Sequence, residues 1–273
     1  SGVIPSLKAN GHEYFGQWFP KYDPKINDAI TGPVEEFLTG DSSLGYEEAK
    51  AGEEFIRIGV GAVKKPEEKV YQRFKTYDIV DGGKWTVKKG ADWIEFTHDL
   101  GNHNGYAYRY TKRLALAKGG KAGMTIHHTL KNTGKKPIRT DQYNHNFFML
   151  DGEPTGPDAI VTFPFELKAA RPVPADLAEI QGRTITYKKE LQPRQTVMAE
   201  LSGFGGTAAD YDIKIENRKT GAAVRIQGDR PISKIVYWSI RPTLCPEAYV
   251  ALDVAPGKET KWAYTYTFYD AKK

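Results

Sequence analysis

The sequence predicts an all-β protein, a single large sandwich of packed antiparallel sheets. Three observations carry this. From residue 55 onward, turn signals recur every ten to fifteen residues, among them Asp81-Gly82-Gly83, Gly119-Gly120 and Asn132-Thr133-Gly134. Between them run segments that alternate apolar and polar residues, the period of a half-buried strand. Aromatic residues reach 12% of the chain, with 16 Tyr and 5 Trp, a composition that suits strands. A sandwich or barrel can hold ~250 residues in one domain, and no repeat, linker or low-complexity stretch divides the chain. Residues 1–273 therefore read as one domain.

Residues 1–54 are irregular, rich in Gly, Pro and aromatics. His12-Glu13-Tyr14-Phe15-Gly16-Gln17-Trp18-Phe19 has the mix of a loop that covers a cleft, and Pro20 and Pro24 break it. Asp28 to Pro33 reads as a turn. Short helical turns are expected at Val34–Leu38, Tyr46–Lys50 and Pro174–Ile180, none long enough to carry a fold.

The strands begin with Phe55–Gly61, whose two glycines permit a bulge or close packing. Its Gly-x-Gly lacks a third Gly and a following helix, so dinucleotide binding is excluded. Lys84–Val87, Ile94–Leu100, the Tyr106/Tyr108/Tyr110 run and Met124–Leu130 follow. Asn132-Thr133-Gly134 then turns the chain into a strand carrying His145. Val161–Phe165, Thr184–Tyr187, Val197–Leu201, Tyr211–Ile215, Ala223–Ile226 and Ile232–Ile240 continue the pattern. Trp262–Phe268 closes it, with four aromatics on one face and Ala and Thr on the other.

The net charge of +5 is mild, with 39 Lys+Arg against 34 Asp+Glu. Basic doublets such as Lys64-Lys65, Lys135-Lys136 and Lys272-Lys273 sit beside Gly, Pro or a chain end. Solvated turns look like this; a nucleic-acid track would cluster its basic residues on one face. No run approaches the ~20 apolar residues of a membrane-spanning helix. A single cysteine, Cys245, permits no internal disulfide and fixes no compartment.

Chemistry concentrates in Asp141-Gln142-Tyr143-Asn144-His145-Asn146-Phe147-Phe148-Met149-Leu150. Strand alternation puts His145, Phe147 and Met149 on one face and Asn144, Asn146 and Phe148 on the other. An imidazole among amides and aromatic rings suits a site that holds a polyhydroxylated ligand and moves a proton. The other five His (12, 98, 103, 127 and 128) form no metalloprotease spacing, and one Cys cannot build a thiolate zinc site by itself. His103 falls in a turn that reads as exposed. His127 and His128 point to opposite faces of a strand and read as structural. Cys245 reads as a small core residue. Glu247, just after an apolar strand, sits where burial would raise its pKa towards a useful base value. Asp210 opens a strand together with Asp212.

Three segments, in order, resemble the aldose 1-epimerases, the galactose mutarotase-like family. Asn132-Thr133-Gly134 followed by Asn144-His145-Asn146-Phe147-Phe148-Met149-Leu150 resembles that family's Asn-Thr-Gly and Asn-His-x-(aromatic)-Phe-x-Leu. Asp210–Ile215 with Thr220-Gly221 and Asp229-Arg230-Pro231 is similar to its Asp-led strand and Gly turn. Leu244–Glu247 with Pro256-Gly257-Lys258-Glu259 resembles its late Glu and closing strand. The resemblance spans roughly residues 55–270. It implies a β-sandwich of the mutarotase kind (a supersandwich) with few short helices. It also implies an isomerase that interconverts the α and β anomers of a hexose or related sugar. In those roles His145 protonates the ring oxygen, Glu247 takes the anomeric hydroxyl proton, and Asn144 and Asp210 bind sugar. No cofactor and no metal are implied.

The chain departs from the family in three ways. No His stands at Thr31-Gly32-Pro33, where the family has a second one. The leading strands and their substrate-binding Arg have no counterpart, as if the chain opened mid-fold. The interval from Glu247 to Pro256-Gly257 is short. A non-catalytic carbohydrate-binding module on the same fold is one alternative. A polysaccharide lyase-type enzyme, using a Tyr or His base beside a charge-neutralising group, is another.

Overall fold

In the computed structural model, which describes residues 2–23, 26 and 29–272, strands dominate. Pro24, Asp28 and Lys273, which the sequence placed in a break, a turn and a basic doublet, lie outside the described residues. Helix among the described residues amounts to two one-turn 3-10 segments, Leu150–Gly152 and Ala208–Asp210.

Two antiparallel sheets form the sandwich. The larger has ten strands, in the order Ala178–Gln181, Thr184–Tyr187, Ala159–Thr162, Asp212–Asn217, Ala222–Gly228, Glu259–Asp270, Gly123–Asn132, Tyr106–Leu116, Trp93–His103 and Lys84–Lys89. The smaller has six, in the order Lys168–Ala169, Thr196–Ser202, Lys234–Ile240, Thr243–Val254, Ile138–His145 and Val34–Leu38. A small sheet of Glu54–Arg57, Gly61–Lys64 and Ile79–Asp81 and a short hairpin of Lys8–Ala9 with His12–Glu13 complete the set.

Alternation explains the packing. On the last long strand Trp262, Tyr264, Tyr266 and Phe268 all face inward and are buried. They share one core with Leu244, Ala248, Val250, Leu252 and Val254 from the opposing sheet. The contiguous apolar area removed from water between the two layers is the main favourable term.

A buried polar ladder also crosses between the sheets. The Trp262 indole N–H and the Tyr264 hydroxyl both donate to Gln142 Oε1 at 2.7 Å. Gln142 Nε2 donates to Asn144 Oδ1 at 2.8 Å, and Asn144 Nδ2 to the Tyr266 hydroxyl at 3.1 Å. That hydroxyl donates on to Asn146 Oδ1 at 2.7 Å. Every amide of the segment is thereby satisfied in the interior.

Three local expectations are revised. Val34–Leu38 is an edge strand, not a helical turn. Its Glu35 is buried by pairing with Lys112 Nζ at 2.7 Å. Pro174–Ile180 is a turn running into the strand Ala178–Gln181, with Leu177 N–H donating to Pro174 O at 2.9 Å. Phe55–Gly61 is not one strand. It turns at Gly59 (φ +84°), and at Gly61 a Cβ would lie 2.1 Å from Asp81 O, so only glycine admits the third strand. Tyr46–Lys50 does make a single turn, closed by Ala49 N–H to Gly45 O at 3.1 Å.

Candidate active site

The site is a gap in the hydrogen-bond ladder between two central strands of the six-stranded sheet. Ile138–His145 pairs with Thr243–Val254 from Ile138↔Val254 to Gln142↔Val250. The pairing then lapses and resumes at the isolated bridge Phe148↔Leu244, in the same register. That register sets Tyr143 opposite Tyr249, His145 opposite Glu247 and Asn146 opposite Pro246. Proline has no N–H to offer the ladder, so the strands part there. Asn146 N–H instead donates to Cys245 Sγ at 3.0 Å.

Directly opposite residues share a face and bring their Cβ atoms to about 4.5–5.5 Å. His145 and Glu247 accordingly meet, with Nε2 3.3 Å from Oε1. They lie on the outer face of the sheet, away from the core. The neighbouring strands extend the face in rows: Val236, Glu247, His145 and Val34 in one; Lys234, Tyr249, Tyr143 and Glu36 in the next; Trp238 and Cys245 in a third. Tyr143 and Tyr249 stack with centroids 4.3 Å apart.

Aromatic rings wall the pair. Phe147 takes φ +48°, a left-handed value that costs energy outside glycine. Its ring lies flat on the imidazole, 3.7 Å between centroids. Trp238 meets the imidazole edge-on at 5.5 Å, and Trp18 stacks on Phe147 at 5.2 Å. The N-terminal aromatic loop thus covers the site from above, with the Trp18 indole N–H donating to Ile30 O at 3.1 Å. Below it, Gly32 presses on the sheet: a Cβ there would lie 1.8 Å from Asn146 O.

A polar network flanks the pair on the other side. Arg73, from the loop between the second and third strands of the small sheet, donates to Glu36 Oε2 at 3.0 Å, to the Tyr143 hydroxyl at 2.6 Å and to the Tyr249 hydroxyl at 3.2 Å. Tyr143 donates in turn to Glu36. Tyr249 donates to Glu247 Oε2 at 3.3 Å. Arg57 anchors the loop by donating to Arg73 O at 2.8 Å.

Burial sets the protonation of the pair. It pushes the Glu247 carboxyl up to about 8, with Arg73 opposing and Glu36 reinforcing the shift. It pushes the His145 imidazole down to about 3, helped by the Arg73 charge. Both directions favour neutral groups, so the contact is carboxyl to imidazole and not an ion pair. Tyr249 occupies Oε2, which leaves Oε1 to face Nε2. The side chain of His145 is 18% exposed and that of Glu247 6%, so the imidazole is the pair's main contact with solvent.

The other residues singled out in sequence go elsewhere. Asn144 faces the interior, in the ladder between the sheets, because alternation sets it opposite to His145. Asp210 is not brought to the pair: its carboxylate accepts from Thr207 N–H at 2.9 Å and Gly205 N–H at 3.0 Å in a capping box. That box leads into Asp212–Asn217 of the other sheet. Trp18 and Glu36 are at the site, while Glu35 is inside with Lys112. Cys245 is fully buried, as expected, but it lies on the site's face rather than the core's. His103 is not exposed: Glu54 and Asp81 hold its two nitrogens at 2.6 and 2.8 Å beside a cavity of about 260 Å3. Arg73 and Tyr249 went unnoticed in sequence. Arg73 sits in a charged stretch that reads as solvated, and its only local signal is the flanking Tyr71 and Phe74.

No family model matches the sequence, and no curated protein matches it. Solved structures do. A galactose mutarotase related enzyme from Lactobacillus acidophilus is 13% identical, with 98% of this chain and 91% of that one covered at a TM-score of 0.61. A galactose mutarotase-like protein from Clostridium acetobutylicum is 14% identical, with 98% and 89% covered at 0.61. Another from Lactobacillus casei is 13% identical, with 98% and 94% covered at 0.53. At such identities the likeness is one of fold, and the fold is the galactose mutarotase-like sandwich.

Proposed function

We propose that this chain is an aldose 1-epimerase-like enzyme that interconverts the anomers of a hexose or related sugar. The observation that carries the reading is the His145–Glu247 pair, with Nε2 3.3 Å from Oε1 on a ring-lined face. Opening a cyclic hemiacetal requires one proton given to the ring oxygen and one taken from the anomeric hydroxyl. Both oxygens are bonded to the same carbon, so the donor and the acceptor must stand side by side. A carboxyl that holds a proton next to an imidazole that does not offers both functions at neutral pH.

The protonation directions allot the first roles. From the resting state Glu247 donates to the ring oxygen and His145 accepts from the anomeric hydroxyl. This is the reverse of the allotment the resemblance implies. Reclosure on the other face of the aldehyde runs both transfers backwards and restores the resting state. Tyr249 and Arg73 steady the carboxyl, Phe147 backs the imidazole, and Trp18 and Trp238 supply apolar ring surface for the sugar. Asn144 and Asp210, which the resemblance makes sugar ligands, have no part here, because both are committed elsewhere.

Polarimetry on freshly dissolved aldoses tests the activity. The reading requires faster mutarotation of at least one sugar, free or phosphorylated. No acceleration across the panel would sink it. If a sugar then bound without turnover, the binding-module alternative would take its place.

A further inference from the structure

We infer that His145, Cys245 and Glu247 form a site for a borderline-soft divalent cation of the Zn2+ class, and that the cation shuts off the acid–base pair. One ligand atom from each residue lies within 4.8 Å of the others. Sequence spacing hides the set, because it comes from two strands. Cys245 and Glu247 alternate on one, and the shared register sets His145 opposite Glu247. Among the described residues no other three His, Cys, Asp or Glu side chains converge in this way. His103 does not compete: its two nitrogens point to separate carboxylates, Glu54 and Asp81.

The donor chemistry selects the ion. A thiolate, an imidazole and a carboxylate suit Zn2+, with bonds of about 2.3 Å to sulfur and about 2.0–2.2 Å to nitrogen and oxygen. Mg2+ and Ca2+ prefer oxygen donors alone. Bonds of those lengths require the ligand atoms to draw together by on the order of 1 Å, which side-chain rotation supplies. Outer partners are already in place for the thiol and the carboxyl. Asn146 N–H points at Cys245 Sγ from 3.0 Å. Tyr249 holds Glu247 Oε2, which leaves Oε1 for the ion. The His145 Nδ1 atom is buried with no hydrogen-bond partner, so no second contact locks the imidazole in one tautomer. A cation seated here takes the Nε2 lone pair and the carboxylate together, the two groups that the proposed reaction uses. Inhibition therefore rests on the epimerase reading; binding does not.

The test uses the full chain stripped of metal with a chelator. Co2+ is titrated in and the thiolate-to-cobalt charge-transfer band is followed, with Zn2+ binding measured in parallel by calorimetry. The inference requires saturation at one equivalent, loss of the band in Cys245→Ser, and at least tenfold weaker binding in His145→Asn. Near-UV circular dichroism identifies any variant that is misfolded, and the partly exposed His145 position keeps one variant usable if the buried one fails. Absence of stoichiometric binding, or binding that both substitutions leave unchanged, overturns the site. In the same samples, anomer exchange should fall in proportion to Zn2+ occupancy. Exchange that persists at full occupancy overturns the inhibitory role, and a wild type with no exchange removes that role while the spectral result still decides the site.

Discussion

Glu247 sits where ionisation is costly, next to a buried thiol, two stacked tyrosine rings and a neutral imidazole. Its folded pKa lies above the ordinary carboxylate value, at about 8. The donor form therefore exists below that pH and is lost as pH rises through it. The rate constant kcat/KM should stay level across neutral pH and fall above about pH 8. Arg73 opposes the upward shift, so removing its charge raises the Glu247 pKa further, and the freed Glu36 acts in the same direction. In Arg73→Met the falling limb should move to higher pH, a displacement that a purely structural role for Arg73 would not produce. A pH–rate profile of the two proteins measures it. At this scale the sequence singles out His145 and Glu247 from local signals, an imidazole in an Asn-His-Asn run and a carboxylate after an apolar strand, and the fold brings the two side chains to 3.3 Å. Asn144, a sugar ligand by resemblance, lies on the other face in the interior ladder, where strand parity alone already sets that amide.

At the scale of elements, alternation made the strands readable wherever one face is apolar, as in Trp262–Phe268 or Thr184–Tyr187. Val34–Leu38 escaped because Val-Glu-Glu-Phe-Leu does not alternate. One glutamate faces out to Arg73, and the other is buried only by a lysine supplied from Tyr106–Leu116. The small sheet has its own electrostatic fastening. His103, at the end of Trp93–His103, is gripped by Glu54 and Asp81 of that sheet. Burial alone would lower its pKa, but the hydrogen bonds to Asp81 and Glu54 hold it above the ordinary imidazole value of 6.5. A raised folded pKa means the contribution is fully present below about pH 6.5 and is lost as pH rises through the folded value. Thermal melts from pH 6 to 9 should therefore show a stability advantage of the wild type over His103→Asn that shrinks as pH rises. A difference between the two proteins that stays constant across the range would count against the clamp.

For the whole molecule, the gap in the sheet and the ladder behind it are two sides of one segment. Gln142, Asn144 and Asn146 tie the strand to the opposing sheet, which leaves His145 and Phe147 to face outward from a rigid support. The overall architecture was legible because a large sandwich repeats its pattern many times. The position of Arg73 was not, because it depends on how a loop of the small sheet folds across the outer face. Gln142→Ala would leave the Trp262 and Tyr264 donors unsatisfied in the core, at about 1–3 kcal/mol each, so urea unfolding should show a loss of roughly 2–6 kcal/mol. A change below roughly 1 kcal/mol would mean that the ladder does not couple the sheets.

The claim on which the account turns is that one carboxyl and one imidazole, side by side, carry both proton transfers at an anomeric centre. NMR magnetisation exchange between the α and β signals of an accepted sugar measures this directly, in the wild type and in Glu247→Gln and His145→Ala. General acid–base groups contribute roughly 10²–10⁴-fold, so each substitution should slow exchange by about that factor while sugar binding persists. Exchange at the wild-type rate in either variant would contradict the assignment.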